Sequence, residues 1–251
     1  MEEDKSIQLS TTSPMPTIPL LPSQLVVTNI FNSIESLGFA NIVGKVFSGE
    51  QAESRQEANL KVRTQKLYTQ GLKNLEQQDL NGAIKNFTAT ININPQFAPA
   101  YNDRGVARYK LGYKQSALED LTTAIELNPY RGKYYSNRGF MLTRLKHYTT
   151  AIADYTSALL LNPNVAQSYF NRGAIRLQME NSLAALADFE SAIRLDSDFA
   201  KAYFNRGLTR YKLREVEGAF EDFQKAAGLF KLQGRMDSYQ EAVSQITKLW
   251  C

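Results

Sequence analysis

Between residues 64 and about 233, apolar and small residues return every three or four positions in short paired segments, each pair reading as helix, turn and helix. In the second pair the pattern predicts a first helix from Tyr101 to Leu111, a turn at Gly112 to Lys114 and a second helix from Ser116 to Leu127. Asn128-Pro129 closes it, because proline lacks an amide donor and disfavours helix in the residue before it. Asn94-Pro95 and Asn162-Pro163 close the first and third pairs in the same way. The period is 34 residues: Gly71, Gly105, Gly139, Gly173 and Gly207 keep it, and so do Ala83, Ala117, Ala151, Ala185 and Ala219. Two small-residue ladders in step over five units leave almost no room for chance. They let paired helices cross near the lower end of the roughly 8–10 Å packing distance.

The flanks read differently. Residues 1–24 are rich in Ser, Thr and Pro, with Pro16, Pro19 and Pro22 three apart, which predicts a disordered, polyproline-II-like tail, either an inert leader or a docking peptide. Residues 25–49 carry Val27, Ile30, Phe31, Ile34, Leu37, Ile42, Val43, Val46 and Phe47, an amphipathic helix or pair of helices weakened at Gly38 and Gly44. That much apolar surface has to cover something: the chain's own repeats as a cap, a second copy, another protein or a membrane surface. Residues 50–63 are polar and read as a helical lead-in. Residues 234–251 place Met236, Tyr239, Ala242, Val243, Ile246 and Leu249 at helical spacing and read as a terminal helix shielding the last repeat.

These residues carry a resemblance. The chain resembles the tetratricopeptide-repeat (TPR) family, whose signature W-x2-L-G-x2-Y, then A-x3-F, then P falls on residues 64–233. Leu67, Tyr101, Tyr135, Tyr169 and Tyr203 hold the tryptophan place. The second element is Ala83 with Phe87, Ala117 with Leu121, Ala151 with Tyr155, Ala185 with Phe189 and Ala219 with Phe223. The leucine place departs from the family, holding Gln70, Arg104, Arg138, Arg172 and Arg206. The closing proline is replaced by Ser197 and Lys231, which predicts looser junctions there. The resemblance implies an all-α, right-handed solenoid of helix-turn-helix repeats with a C-terminal capping helix. It also implies first helices lining a concave groove, and a non-catalytic scaffold, adaptor or assembly role in holding a protein or peptide.

Arg104, Arg138, Arg172 and Arg206 are matched unit by unit with Asp120, Asp154, Asp188 and Asp222. The first unit has Gln70 and Asn86 in those places, so charge appears and vanishes at both sites together. That covariation predicts ion pairs bridging packed helices, within a repeat or to the next, with a guanidinium geometry suited to carboxylate.

Over units two to five the first helices sum to +11 and the second helices to −7; discounting the four pairs leaves +7 and −3. Lys110, Lys133, Arg144, Lys201 and Lys212 would then draw an acidic or acid-flanked segment to the groove and speed its encounter. Asn137, Asn171 and Asn205 recur 34 apart, with Asp103 in the equivalent place of unit two. In TPR proteins similar to the O-linked N-acetylglucosamine transferase superhelix, asparagines there grip an extended backbone, for which a carboxamide offers both donor and acceptor. Tyr109, Phe140, Phe170, Phe204 and Tyr211 share those helices and are expected to flank the ladder. The alternative is that the asparagines bond within the solenoid. The clamp by which some TPR proteins take the acidic tails of chaperones is incomplete, since its places read Tyr68 with Leu72 and Lys133 with Asn137.

Composition excludes several classes. The single cysteine, Cys251, leaves no intrachain disulfide or cysteine metal cluster, and a reducing compartment fits best. The one histidine, His147, falls in a turn, no phosphate-cradling glycine loop is present, and neither a catalytic site, a cofactor nor a metal is expected. The acidic start and the lack of a long apolar run predict a soluble protein of the cytoplasm or an organelle, with peripheral membrane contact through residues 25–47 as an alternative. Self-association through that segment is another. A net charge of +4 makes RNA or another polyanion the rival ligand, disfavoured because Tyr101, Tyr135, Tyr169 and Tyr203 hold places the fold needs for core.

Overall fold

Local backbone hydrogen bonding turns the 34-residue period into helices. The computed structural model describes the backbone of residues 39–249 and the side chains of residues 51–249; the tail and the start of the amphipathic segment lie outside the described residues. The described residues form eleven helices and no strand: α1 (Phe39–Glu76), α2 (Leu80–Ile93), α3 (Ala98–Lys110), α4 (Lys114–Leu127), α5 (Gly132–Arg144), α6 (Tyr148–Leu161), α7 (Ala166–Gln178), α8 (Ser182–Leu195), α9 (Ala200–Lys212), α10 (Val216–Leu232) and α11 (Met236–Lys248). Residues 1–59 and 60–251 are separate compact units. In the first, the described part is helix, exposed over residues 51–59. The second holds the repeats, and none of the described helices is long and apolar enough to cross a membrane.

The first helix of unit two starts at Ala98, three residues before the expected Tyr101. Pro99 is tolerated there because the first turn of a helix has no carbonyl to offer its amide. Within each unit the two helices meet at a residue of positive φ: Gln78, Gly112, Lys146, Glu180 and Arg214, again 34 apart. Only Gly112 carries no Cβ there; the others accept roughly 1 kcal/mol of backbone strain to keep the turn.

Between units, Asn94, Asn128 and Asn162 end helices and accept from the amide two residues on. Asp196 does the same at the fourth junction, so losing proline to Ser197 does not loosen it, contrary to the expectation from sequence. After Phe230 the second helix of unit five simply continues, to Leu232, and Gly234 at φ +68° turns the chain into α11.

In units two to five the two helices of a unit pack on each other most closely, each second helix packs on the next first helix, and α11 packs on α10. Ala83, Ala117, Ala151, Ala185 and Ala219 are sealed from solvent, as are Phe87, Leu121, Tyr155, Phe189 and Phe223 one turn later. The glycine ladder explains the closeness: a Cβ on Gly207 would lie 2.8 Å from the Phe223 ring. At the C-terminal end α11 covers the apolar end of α10 with Ala242 and Tyr239, while Met236 and Val243 remain exposed.

Candidate functional site

The arginines just before the glycines reach from a first helix to the second helix of the same unit. Arg138 Nε and Nη2 both donate to Asp154 at 2.8 Å; Arg104 binds Asp120, Arg172 binds Asp188 and Arg206 binds Asp222 with the same forked geometry. The Asp154 bond is the largest influence on Arg138 and holds its guanidinium above the ordinary range. The third nitrogen turns the other way, to Thr88, Thr122 and Thr156 on the preceding unit's second helix, from Arg104, Arg138 and Arg172. Each of these three arginines therefore ties its unit internally by an ion pair and to its predecessor by a hydrogen bond to a neutral hydroxyl. Arg104, Arg172 and Arg206 also lie over the rings of Tyr101, Tyr169 and Tyr203 at 5.4–5.6 Å, a cation–π platform that sequence reasoning did not anticipate.

A second set of arginines joins the network one turn later. Arg108, Arg176 and Arg210 donate to Asp120, Asp188 and Asp222 at 2.8–3.0 Å; unit three has Leu142 there, so Asp154 holds one arginine only. Their spacing follows the repeat and could have exposed them. Unit one builds the same junction from amides, with Gln70 and Asn86 both donating to Asn74 Oδ1. Of the twelve cationic side chains on the first helices of units two to five, seven are held this way, leaving Lys110, Lys133, Arg144, Lys201 and Lys212, all exposed.

The asparagine column divides in two. Asn137 Nδ2 donates to Asn102 Oδ1 at 2.8 Å, Asn102 donates to Asp103 at 2.7 Å, and the Tyr68 hydroxyl donates to Asp103 at 2.6 Å. This polar chain spans the first helices of three successive units and closes the column's N-terminal half on the protein itself. Asn171 accepts from Gln167 on its own helix, and the Asn205 carboxamide makes no bond among the described residues, so both keep capacity for a ligand.

Tyr155 stands where three other units have phenylalanine and one leucine. Its hydroxyl lies beside Thr143 and Asn171 without an aligned hydrogen bond to either, and burial pushes it up to about 12. Tyr155→Phe should then leave stability unchanged or raise it by about 1 kcal/mol, because an unpaired buried hydroxyl is removed. A urea midpoint that falls would show that the hydroxyl has a partner the geometry does not reveal.

Three cavities open along the first helices. The middle one, about 290 Å³, is walled by Val106, Tyr109, Leu121, Phe140 and Met141, with Lys110 and Asn137 at its polar edge. Tyr109 and Phe140 meet edge to face there at 5.8 Å, and Phe140 is half exposed. A cavity of about 200 Å³ towards the C-terminal end gathers Phe170, Phe204, Lys201 and Asn205 against Phe230, Arg235, Ser238 and Glu241. Phe170 and Phe204 are half-buried and stack on Phe189 and Phe223, so they belong to the core and to the cavity wall at once. The third, about 220 Å³, brings Asp103 and Lys133 together with Tyr68, Asn102, Arg131 and Tyr134. Sequence reasoning missed Tyr134, although in units two to five it is the oversized member of a column otherwise holding Ala100, Ser168 and Ala202. Arg144, Tyr211 and Lys212 are exposed and line none of these three cavities.

Family models described as tetratricopeptide repeat match residues 98–131, 132–165 and 172–233. No curated protein matches the sequence. Among solved structures, MamA superposes with a TM-score of 0.61 at 21% identity, over 69% of this chain and 94% of that one. Pseudomonas aeruginosa PilF gives 0.63 at 20% identity, over 76% and 94%. YrrB, described as a TPR protein with an unusual peptide-binding site, gives 0.59 at 20% identity, over 71% and 90%. At these identities the likeness concerns the fold.

Proposed function

Because this chain belongs to the tetratricopeptide-repeat family, we propose that it is a protein-interaction scaffold, without a reaction of its own, that holds an extended, acid-flanked segment of a partner along α3, α5, α7 and α9. The observation that carries this reading is the apolar cavity between α3 and α5, walled by Tyr109, Phe140 and Met141 and edged by Lys110 and Asn137. It has the make-up of a side-chain pocket, apolar walls with a few polar groups that fix orientation. Two further features support it. The first helices of units two to five keep five exposed cations after the ion-pair network is discounted, and Asn171 and Asn205 keep hydrogen-bonding capacity beyond the cavity. A peptide-binding site is also described for YrrB, which has the same fold, and that supports the reading.

Capture with the intact chain, followed by binding measurements on the partner's shortest active segment, tests the reading. Phe140→Ala should weaken binding about tenfold, and Asn171→Ala and Asn205→Ala by about 1 kcal/mol each, with the fold intact. Lys201→Glu and Lys212→Glu should act mainly on association rate and fade as salt rises. Affinity unchanged in all of these would take the site off the first helices. A steep linear loss of log affinity with log salt would instead indicate a phosphate polyanion.

A further inference from the structure

Five aspartates of the described residues are buried, and four of them, Asp120, Asp154, Asp188 and Asp222, are clasped by arginine. The fifth, Asp103, is 7% exposed and has no cation within 4.0 Å among the described residues. Buried carboxylates are ordinarily paired, so Asp103 is the exception that asks for a partner. It accepts from Tyr68 and Asn102, which fills about two of its four acceptor positions and fixes its orientation. The rest of the carboxylate borders the cavity of about 220 Å³ walled by the Tyr68 and Tyr134 rings.

Resting on the reading of the first-helix face as a peptide groove, we infer that this cavity takes the side-chain ammonium of a lysine in the bound segment, held by Asp103 between the two tyrosines. The donor count fits: an ammonium has three protons, and the cavity offers the remaining capacity of Asp103, the Tyr134 phenol oxygen and the second lone pair of Asn102 Oδ1. Aromatic rings flanking a carboxylate add a cation–π contribution. Burial pushes the Tyr68 and Tyr134 hydroxyls up, and the Asp103 charge adds to that in both, while Arg131 pulls Tyr134 the other way. Arg131 is the larger of the two charge effects at Tyr134, while Asp103 is the charge that acts on Tyr68, whose hydroxyl it holds. Arg131 and Lys133, the other charges of the lining, are exposed, so water and salt screen them more than they screen Asp103. They sit where acidic residues flanking the lysine would pass.

The same crevice fixes a register. This cavity and the apolar one share α3 and α5, and their linings are about seven residues apart along each helix, roughly 10 Å at 1.5 Å per residue. A polyproline-II-like ligand returns to the same edge every three residues, about 9.3 Å. Where the segment follows this crevice, before it crosses to α7 and α9, the lysine and the apolar anchor should therefore be three residues apart.

Panning a random twelve-residue display library on the intact chain and on Asp103→Asn tests this. The expected result is an apolar residue with lysine enriched three positions away on wild type, and the same apolar residue without lysine on Asp103→Asn. Changing that lysine to glutamine in the selected peptide should weaken binding tenfold or more to wild type and leave binding to the variant unchanged. An apolar anchor selected with no lysine, or with an acidic residue in its place drawn by Arg131 and Lys133, overturns the inference and leaves the groove reading standing. A lysine preference that survives in Asp103→Asn overturns it as well. Failure to select any sequence counts against both. The wild-type selection decides even if Asp103→Asn folds poorly, and Tyr68→Phe, which frees one Asp103 oxygen without removing the charge, should keep the lysine preference.

Discussion

Asp188→Ala is expected to cost about 3–5 kcal/mol of folding stability, because it leaves two largely buried guanidinium groups without their carboxylate. Asp188 takes a forked pair from Arg172 and a further bond from Arg176 while its own side chain is 4% exposed. Asp154→Ala removes the same carboxylate from a unit whose second arginine is Leu142, and should cost less, about 1–3 kcal/mol. Unit one supplies the control. Asp154→Asn with Arg138→Gln places its Asn86 and Gln70 in the one paired unit that has no second arginine to strand, and should recover part of what Asp154→Asn alone loses. Urea unfolding of the four proteins gives the coupling; strict additivity would mean that the pair contributes nothing beyond its separate parts. Equal losses at Asp154 and Asp188 would mean that Arg176, 23% exposed, adds nothing.

Phe223→Ala should also cost about 3–5 kcal/mol, for a different reason: it opens a cavity where two helices are closest. The Phe223 ring is 1% exposed, lies against the bare Cα of Gly207 and sits 5.6 Å from Phe204. Phe223→Leu copies unit two, where Leu121 closes over Gly105, and should lose only about 1 kcal/mol. Since each repeat touches only its neighbours, the loss should be uneven along the solenoid. Hydrogen exchange in mild denaturant should quicken in α9 to α11 and stay unchanged in α2 to α4. A uniform increase would show that the solenoid opens as one cooperative unit. Freed from Phe223, Phe204 would also lose its place beside Asn205 and Lys201, so the C-terminal cavity should lose its shape with the core.

How much of this was present in the one-dimensional chain depends on the range of the interaction. Helix pairs, their turns and their small-residue ladders were determined by the sequence itself, because backbone hydrogen bonds span four residues and Gly-to-Ala packing recurs at a fixed 34-residue offset. The Arg–Asp geometry follows from the same offset, sixteen residues from Arg104 to Asp120 and in every later unit, and its absence from unit one was already visible in Gln70 and Asn86. Helix starts were less determined, since Ala98-Pro99 is compatible with either loop or first turn and burial of Ala98 decides for helix. Only the tertiary structure decided which first-helix polar groups are spent within the protein. Asn137 and Asn205 occupy equivalent places, yet Asn137 is bound to Asn102 while the Asn205 carboxamide makes no bond among the described residues, because Asn102 and Asp103 belong to unit two alone and Tyr68 to unit one. The repeat period says what each unit shares. Contacts between residues that differ from unit to unit depend on how neighbouring units are set against one another, and that is a property of the packed solenoid.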